Sequence, residues 1–264
     1  MKNPPQLLQA KRRQIILEIL KKEFTARCSF LSERLNVSEM TIRRDLEALD
    51  RRGLIERTHG GAVFRQERVL GKFQYQSSIQ ENLDEKQLIA RKAASLIEPE
   101  DTVYIGEGTT AALIPRYIDP KMPCCLYTNN LGALVETQNH AQEIIVLGGR
   151  YNSTTHSLAG SMTLEMIRQI NVGKVFLGAD GLSIRAGMTT PNLDIAVTER
   201  QMIRNTRGRV VVMANHTKFG MVADISVVPL KQIDVLVTDL MVPDEFYRHL
   251  CELGIEVMRS EIEG

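Results

Sequence analysis

The stretch that decides the fold is Asn36-Val37-Ser38-Glu39-Met40-Thr41-Ile42-Arg43-Arg44-Asp45-Leu46-Glu47-Ala48-Leu49-Asp50-Arg51-Arg52-Gly53. Asn36-Val37 predicts a tight turn, Ser38 an N-cap, and Gly53 the stop of a helix running to Arg52. On a wheel of about 100° per residue, Ile42, Leu46 and Leu49 share one narrow stripe. Met40, Arg44 and Arg51 fall on the opposite side, with Arg43 and Glu47 beside them and Thr41 on the flank. The helix thus offers an apolar back to its own domain and an arginine-rich front to solvent.

Working outward, Ser29 can cap a short helix Phe30–Leu35, and Gln9–Glu23 reads as a longer one with Leu8, Ile15, Ile16, Ile19 and Leu20 as its stripe. Beyond Gly53, Leu54–His59 reads as a strand, Gly60-Gly61 as a turn and Ala62–Phe64 as the return strand. A short helix, a tight turn and a second helix with an outward-facing first turn make a helix-turn-helix, whose second helix enters the DNA major groove. The hairpin would be its wing.

The chemistry agrees with that geometry. Arg43 and Arg44 can each bond guanine O6 and N7, Thr41 offers a hydroxyl and a methyl, Met40 shares their face, and Ser38 at the helix start can meet a phosphate. Arg57, Thr58 and His59 sit where a wing approaches the backbone or minor groove. The competing interpretation is an amphipathic helix with a solvated charged face. Charge weighs against it. The chain's net charge is only +1, yet residues 1–72 carry 16 Lys+Arg against 9 Asp+Glu, net +7. The remainder carries 17 against 23, net −6. Such asymmetry points to a polyanion-binding module joined to something else.

With 264 residues, 43% hydrophobic and 25% charged, the chain fits neither a disordered nor a membrane-protein composition. No run approaches the roughly 18 apolar residues of a membrane span. Leu7-Leu8 is followed at once by Gln9, Lys11, Arg12 and Arg13, so no secretory leader is expected. Cys28, Cys124, Cys125 and Cys251 form no C-x-x-C pair and read as free thiols of a reducing cytoplasm. The five histidines show no metal-ligand spacing, and no metal or cofactor is expected.

Glycine usage divides the chain where charge does: only Gly53, Gly60, Gly61 and Gly71 of 18 precede Gly106. The expected division is a DNA-binding domain over 8–64, a polar linker over 65–82 and a second domain over 83–264. Asp84 with Gln87 resembles a capping box opening a helix that Pro99 ends. Apolar runs at Thr102–Ile105, Cys124–Tyr127, Ile144–Leu147, Val175–Leu177, Val210–Met213 and Val235–Val237 alternate with helical stretches. That alternation predicts a mostly parallel sheet covered on both faces, so the fold class is α/β.

In open α/β sheets ligands bind beyond the carboxyl ends of the strands. The corner Gly106-Glu107-Gly108-Thr109-Thr110 offers close backbone approach and two hydroxyls, as a phosphate site needs, although a tight strand-to-helix turn with no ligand would look the same. Thr128-Asn129-Asn130, Gly178-Ala179-Asp180-Gly181 and Ala214-Asn215-His216-Thr217-Lys218 end other strands. Asp180 can accept from sugar hydroxyls, Asn129 can donate and accept, and Lys218 can supply a cation.

Val37 through Leu46, continued by Gly53-Leu54-Ile55 and His59-Gly60-Gly61-Ala62, resembles the signature of the DeoR family of bacterial transcription regulators, and the similarity extends over nearly the whole chain. The resemblance implies a winged helix-turn-helix followed by a sugar-phosphate sensor similar in fold to ribose-5-phosphate isomerase, acting as a repressor of a carbohydrate catabolic operon. It implies Gly108, Thr109, Thr110 and Lys218 as phosphate contacts, with Thr128, Asn129 and Asp180 nearer the sugar. Glu107 departs from the Asp or Ser common ahead of Gly-Thr-Thr and can alter which sugar fits. His216-Thr217-Lys218 replaces the more usual Ser-Lys ending. The expected partners are double-stranded operator DNA, a small phosphorylated sugar and further copies of the chain in a homo-oligomer, a dimer or a tetramer. A sugar-phosphate isomerase fused to a DNA-binding domain is the alternative. Isomerases of this type carry Asp-Gly-Ala-Asp where this chain has Leu177-Gly178-Ala179-Asp180, so the first acid is missing, while Glu199 loosely resembles their catalytic glutamate. The expectation is a sensor without enzymatic activity.

Overall fold

Ile16, Leu20, Leu31, Ile42, Leu46 and Leu49, the apolar positions of three short helical patterns, converge on one buried core. The computed structural model describes residues 9–23, 25–64, 75–137 and 142–260. The chain divides into two units, residues 1–67 with 243–249 and residues 68–242 with 250–264.

The first unit is built from α1 (Gln9–Glu23), β1 (Thr25–Arg27), α2 (Cys28–Leu35), α3 (Glu39–Arg51), β2 (Ile55–Arg57) and β3 (Gly61–Phe64). Asn36 adopts the left-handed conformation, φ 50°, which closes α2 and sets the turn into α3. The Ser38 hydroxyl accepts from the Thr41 N–H, capping α3 as the sequence predicts. The strands form an antiparallel sheet in the order β1-β3-β2. A Cβ on Gly61 would run into the Ala26 carbonyl, so only glycine lets β3 lie against β1. Two details differ from expectation. β1 is three residues long, too short for periodicity to reveal, and α2 starts at Cys28 after Arg27, so Ser29 is not its cap.

The second unit opens with α4 (Tyr75–Ser78) and α5 (Leu83–Ala94), followed by β4 (Thr102–Ile105), α6 (Thr109–Ala112), β5 (Cys125–Thr128), α7 (Leu131–Glu136) and β6 (Glu143–Val146). A hairpin β7 (Arg150–Asn152) and β8 (Ser157–Ala159) leads to α8 (Ser161–Arg168) and β9 (Val172–Gly178). Then come β10 (Gly181–Ser183), β11 (Gly187–Thr190), α9 (Leu193–Arg204), β12 (Thr206–Met213), β13 (Ile225–Val228), β14 (Val235–Thr238), α10 (Asp244–Glu252) and β15 (Glu256–Arg259). α10 falls mostly within the 243–249 segment of the first unit.

Seven strands make one parallel sheet in the order β15-β14-β12-β9-β4-β5-β6. Neighbouring residues point to opposite faces, and both parities are buried: Val211 and Met213 pack with Ile89 and Ala93 of α5, while Val210 and Val212 are buried on the other side. Tyr104 anchors that other side, its hydroxyl lying 2.9 Å from the Ile170 carbonyl. An antiparallel sheet β10-β11-β13 completes the unit.

The linker expected over 65–82 is revised in its second half; residues 65–74 lie outside the described residues. Tyr75 is buried, its N–H donates to the Thr154 carbonyl at 2.8 Å, and its ring stacks 5.0 Å from that of His156. Its hydroxyl occupies the space a side chain on Gly132 would need. The expected capping box at Asp84 is absent too. Asn82 precedes α5 in the left-handed conformation, φ 51°, with no side-chain cap bond.

Candidate functional site

On α3, Met40, Arg43 and Arg44 are exposed and Thr41 is half-buried, while Ile42, Asp45, Leu46 and Leu49 are buried. The Ser38 and Thr41 hydroxyls lie 2.9 Å apart, so one donates to the other at the helix start. Arg43 leans toward Glu39 at 3.5 Å, an exposed pairing worth little in water and free to open for a stronger anion. Arg57 and His59 are exposed on the wing. Thr58 differs: it is half-buried and its hydroxyl donates to the Glu245 carboxylate of the same unit, which leaves it less free to meet a phosphate.

What presents this face is an ion pair sequence reasoning missed. Asp45, fully buried on α3, accepts from Arg12 Nε at 2.5 Å and Arg13 Nε at 2.8 Å. Its place beside the apolar stripe, opposite two consecutive arginines of α1, was the available signal.

In the second unit, β4 and β9 lie side by side but their successors leave in opposite directions, β5 and β6 one way, β12 and β14 the other. A crevice opens at the carboxyl ends of strands at such a switch. Here that position is taken by an open-mouthed cavity, about 660 Å3 when counted out into its mouth. Its wall includes Glu107, Gly108, Thr109 and Thr110 after β4, Asp180 after β9 and Lys218 after β12.

Each corner is held in place. Gly108, at φ 107°, turns the chain into α6 in a conformation side chains rarely adopt. Asn130 Nδ2 donates to the Gly106 and Gly108 carbonyls at 3.0 and 2.9 Å, and Asn130 Oδ1 caps α7. The buried Asp239 carboxylate accepts from the His216 N–H at 2.8 Å, fixing the turn that carries Lys218.

Two expected contacts are displaced. Thr128 and Asn129 are buried and absent from the cavity wall. Thr128 Oγ1 donates to the Ile105 carbonyl at 2.8 Å, and Asn129 Nδ2 donates to Glu107 Oε1 and the Leu158 carbonyl, both at 2.8 Å. They brace the β4 corner from behind. Glu107 is likewise committed: its second oxygen accepts from Ser157 Oγ at 2.8 Å.

Lys86, Glu199, Asn215 and Ser78 also line the cavity and were not proposed from sequence as ligand contacts. Lys86 is buried, its ammonium donating to the Ser78 carbonyl. Burial, and after it the charge of Lys218, lowers its pKa to about 8. Burial pushes Glu107 up to about 7 against the opposing effect of its two hydrogen bonds. Burial also raises Asp180, against its 2.7 Å bond from Thr190 Oγ1 and the charge of Lys218, and raises Glu199 well above the ordinary carboxylate range. The cavity therefore combines cations and hydroxyls for an anion with carboxyls for hydrogen-bond donors. Among the described residues no group of side chains could hold a metal ion, and no helix is long and apolar enough to cross a membrane.

Comparison with known proteins agrees with both halves. Residues 12–68 match the DeoR-like helix-turn-helix domain, and residues 81–240 match the DeoR C terminal sensor domain. The chain is 31% identical over 227 residues to the lactose phosphotransferase system repressor of Staphylococcus aureus, covering 85% of this chain and 89% of that protein. It is 29% identical over 256 residues to the HTH-type transcriptional regulator GlpR of Haloferax volcanii, covering 96% and 98%. Among solved structures, ribose 5-phosphate isomerase A of Methanocaldococcus jannaschii matches with a TM-score of 0.39 and 17% identity, over 53% of this chain and 55% of that one, too slight a likeness to carry a reading of function. With a helix-turn-helix presenting arginines, a sensor domain following it in sequence and family matches spanning both, the chain belongs to the DeoR family of DNA-binding transcriptional regulators.

Proposed function

We propose that this regulator represses a carbohydrate catabolic operon in the cytoplasm, and that a phosphorylated sugar bound in the cavity of the second unit sets its operator affinity. The observation that carries the reading is the meeting of Lys86 and Lys218 with the Gly108–Thr110 corner in one cavity at the β4–β9 switch. A phosphate there meets two ammonium groups and two hydroxyls, and the sugar reaches toward Asp180 and Glu199. On the DNA side, Arg43 and Arg44 read base edges, Met40 and Thr41 pack beside them, and Ser38, Arg57 and His59 meet the backbone, while Thr58 holds the wing through Glu245. Two copies of the chain would present paired recognition helices to a two-fold operator. The ligand changes operator affinity only by binding the DNA-competent and incompetent arrangements unequally. The chain acts by binding and releasing its ligand unchanged.

Selection of binding duplexes from a random library, followed by titration with and without sugar phosphates, tests this. A defined sequence should be enriched, and Arg43→Ala with Arg44→Ala should weaken its binding by about tenfold or more per lost base contact. A phosphorylated sugar should stabilise the protein more than its unphosphorylated parent and shift the DNA titration. No enriched sequence, unchanged binding by the double variant, or conversion of the sugar phosphate in an NMR assay would overturn the corresponding part.

A further inference from the structure

The cavity wall carries more carboxyl groups than lysines. Glu81, Glu107, Asp180 and Glu199 line it against two lysines, Lys86 and Lys218. Two of the carboxyls already have partners within the fold, Glu107 with Asn129 and Ser157, and Asp180 with Thr190. Glu199 does not. It reaches the cavity from α9, is 2% exposed, and its Oε2 is buried with no hydrogen-bond partner among the described residues.

An unpartnered buried carboxyl oxygen is costly, and where one persists it marks a group awaiting a partner. The charges acting on Glu199 are the carboxyls of Glu107 and Asp180, whereas Lys218 acts on Asp180 and Lys86. Among the described residues no lysine or arginine is paired with Glu199, and the surrounding carboxyls form no metal-holding group there. A neutral hydroxyl would offer it one proton and no charge, leaving burial to hold Glu199 in its protonated form. An ammonium offers three donors and a positive charge that favours the ionised carboxylate, while the ligand's phosphate meets the lysines.

We propose that the ligand of this cavity carries a primary ammonium group received by Glu199, which makes the effector an amino sugar phosphate or amino polyol phosphate. This rests on the reading of the cavity as a phosphate site. Isothermal titration at neutral pH tests it with two matched pairs: glucosamine 6-phosphate against glucose 6-phosphate, and O-phosphoethanolamine against ethylene glycol monophosphate. In at least one pair the amine should bind about tenfold to a hundredfold tighter, because the ammonium draws Glu199 into its ionised form and bonds to it. N-acetylglucosamine 6-phosphate should lose that advantage, and Glu199→Gln should bring the paired affinities to within about threefold. Equal or weaker binding of both amines, or a preference that survives in Glu199→Gln, overturns the ammonium assignment and leaves the sugar-phosphate reading standing. No binding by any of the five compounds overturns both.

Discussion

Arg13 of α1 donates to Asp45 of α3 across 2.8 Å, on the carboxylate oxygen that Arg12 leaves open. The DNA-facing helix is thus held by two consecutive basic residues of α1. Their charges are partly neutralised inside the domain, and the outward charge of the unit is carried by exposed residues such as Arg43, Arg44 and Arg57.

Removing the Asp45 carboxylate strips the buried pair of its acceptor. Asp45→Ala should destabilise the helix-turn-helix unit by about 3 kcal/mol, the usual cost of breaking a buried ion pair from one side. Amide hydrogen exchange resolves the effect by unit: protection in α1 and α3 should fall while that of the parallel sheet is unchanged. Undiminished protection in α3 would show that the pair does not hold the helix.

Glu107 makes the second unit sensitive to pH. Its folded-state pKa is raised to about 7, so the folded protein holds this proton more tightly than the unfolded chain does. The contribution is most favourable below about pH 4.5 and is lost as pH rises through about 7, a difference of about 3 kcal/mol at most. The raised Asp180 and Glu199 act in the same direction. Thermal unfolding should therefore show the wild-type protein losing stability between pH 5 and pH 7.5, and Glu107→Gln losing distinctly less. Parallel pH profiles for the two proteins would rule out Glu107 as the source.

The parts of this architecture legible in the sequence are those with a strong local signal. The α3 stripe of Ile42, Leu46 and Leu49 and the Ser38 cap define the recognition helix, and the run Thr102–Ile105 coincides with β4. β15 escaped because Glu256-Val257-Met258-Arg259 is framed by charge, as befits an edge strand, and does not read as a buried run. The 75–82 segment looked like linker because its anchoring depends on one aromatic ring, Tyr75, filling the gap over Gly132, a contact far away in sequence. Strand ends could be found but not their facing: Thr128 and Asn129 follow the same pattern as Asp180, yet point under the corner and not into the cavity. Lys86 was hidden by type, since a lysine on an amphipathic helix ordinarily lies in solvent.

That lysine supplies the sharpest prediction about the ligand. Its pKa of about 8 means that Lys86 is charged at neutral pH and loses its proton as pH rises through the range in which an ordinary lysine stays fully charged. A bound phosphate favours the charged form, so binding above pH 8 must draw in a proton, and affinity should fall by up to about tenfold per pH unit there. Lys86→Arg keeps its charge throughout and should remove most of the decline. Lys86→Met should bind weakly at every pH and show no decline of its own. Titration of one phosphorylated sugar at pH 7, 8 and 9 against the three proteins reads this directly. Constant wild-type affinity over that range would mean that the Lys86 ammonium does not meet the phosphate.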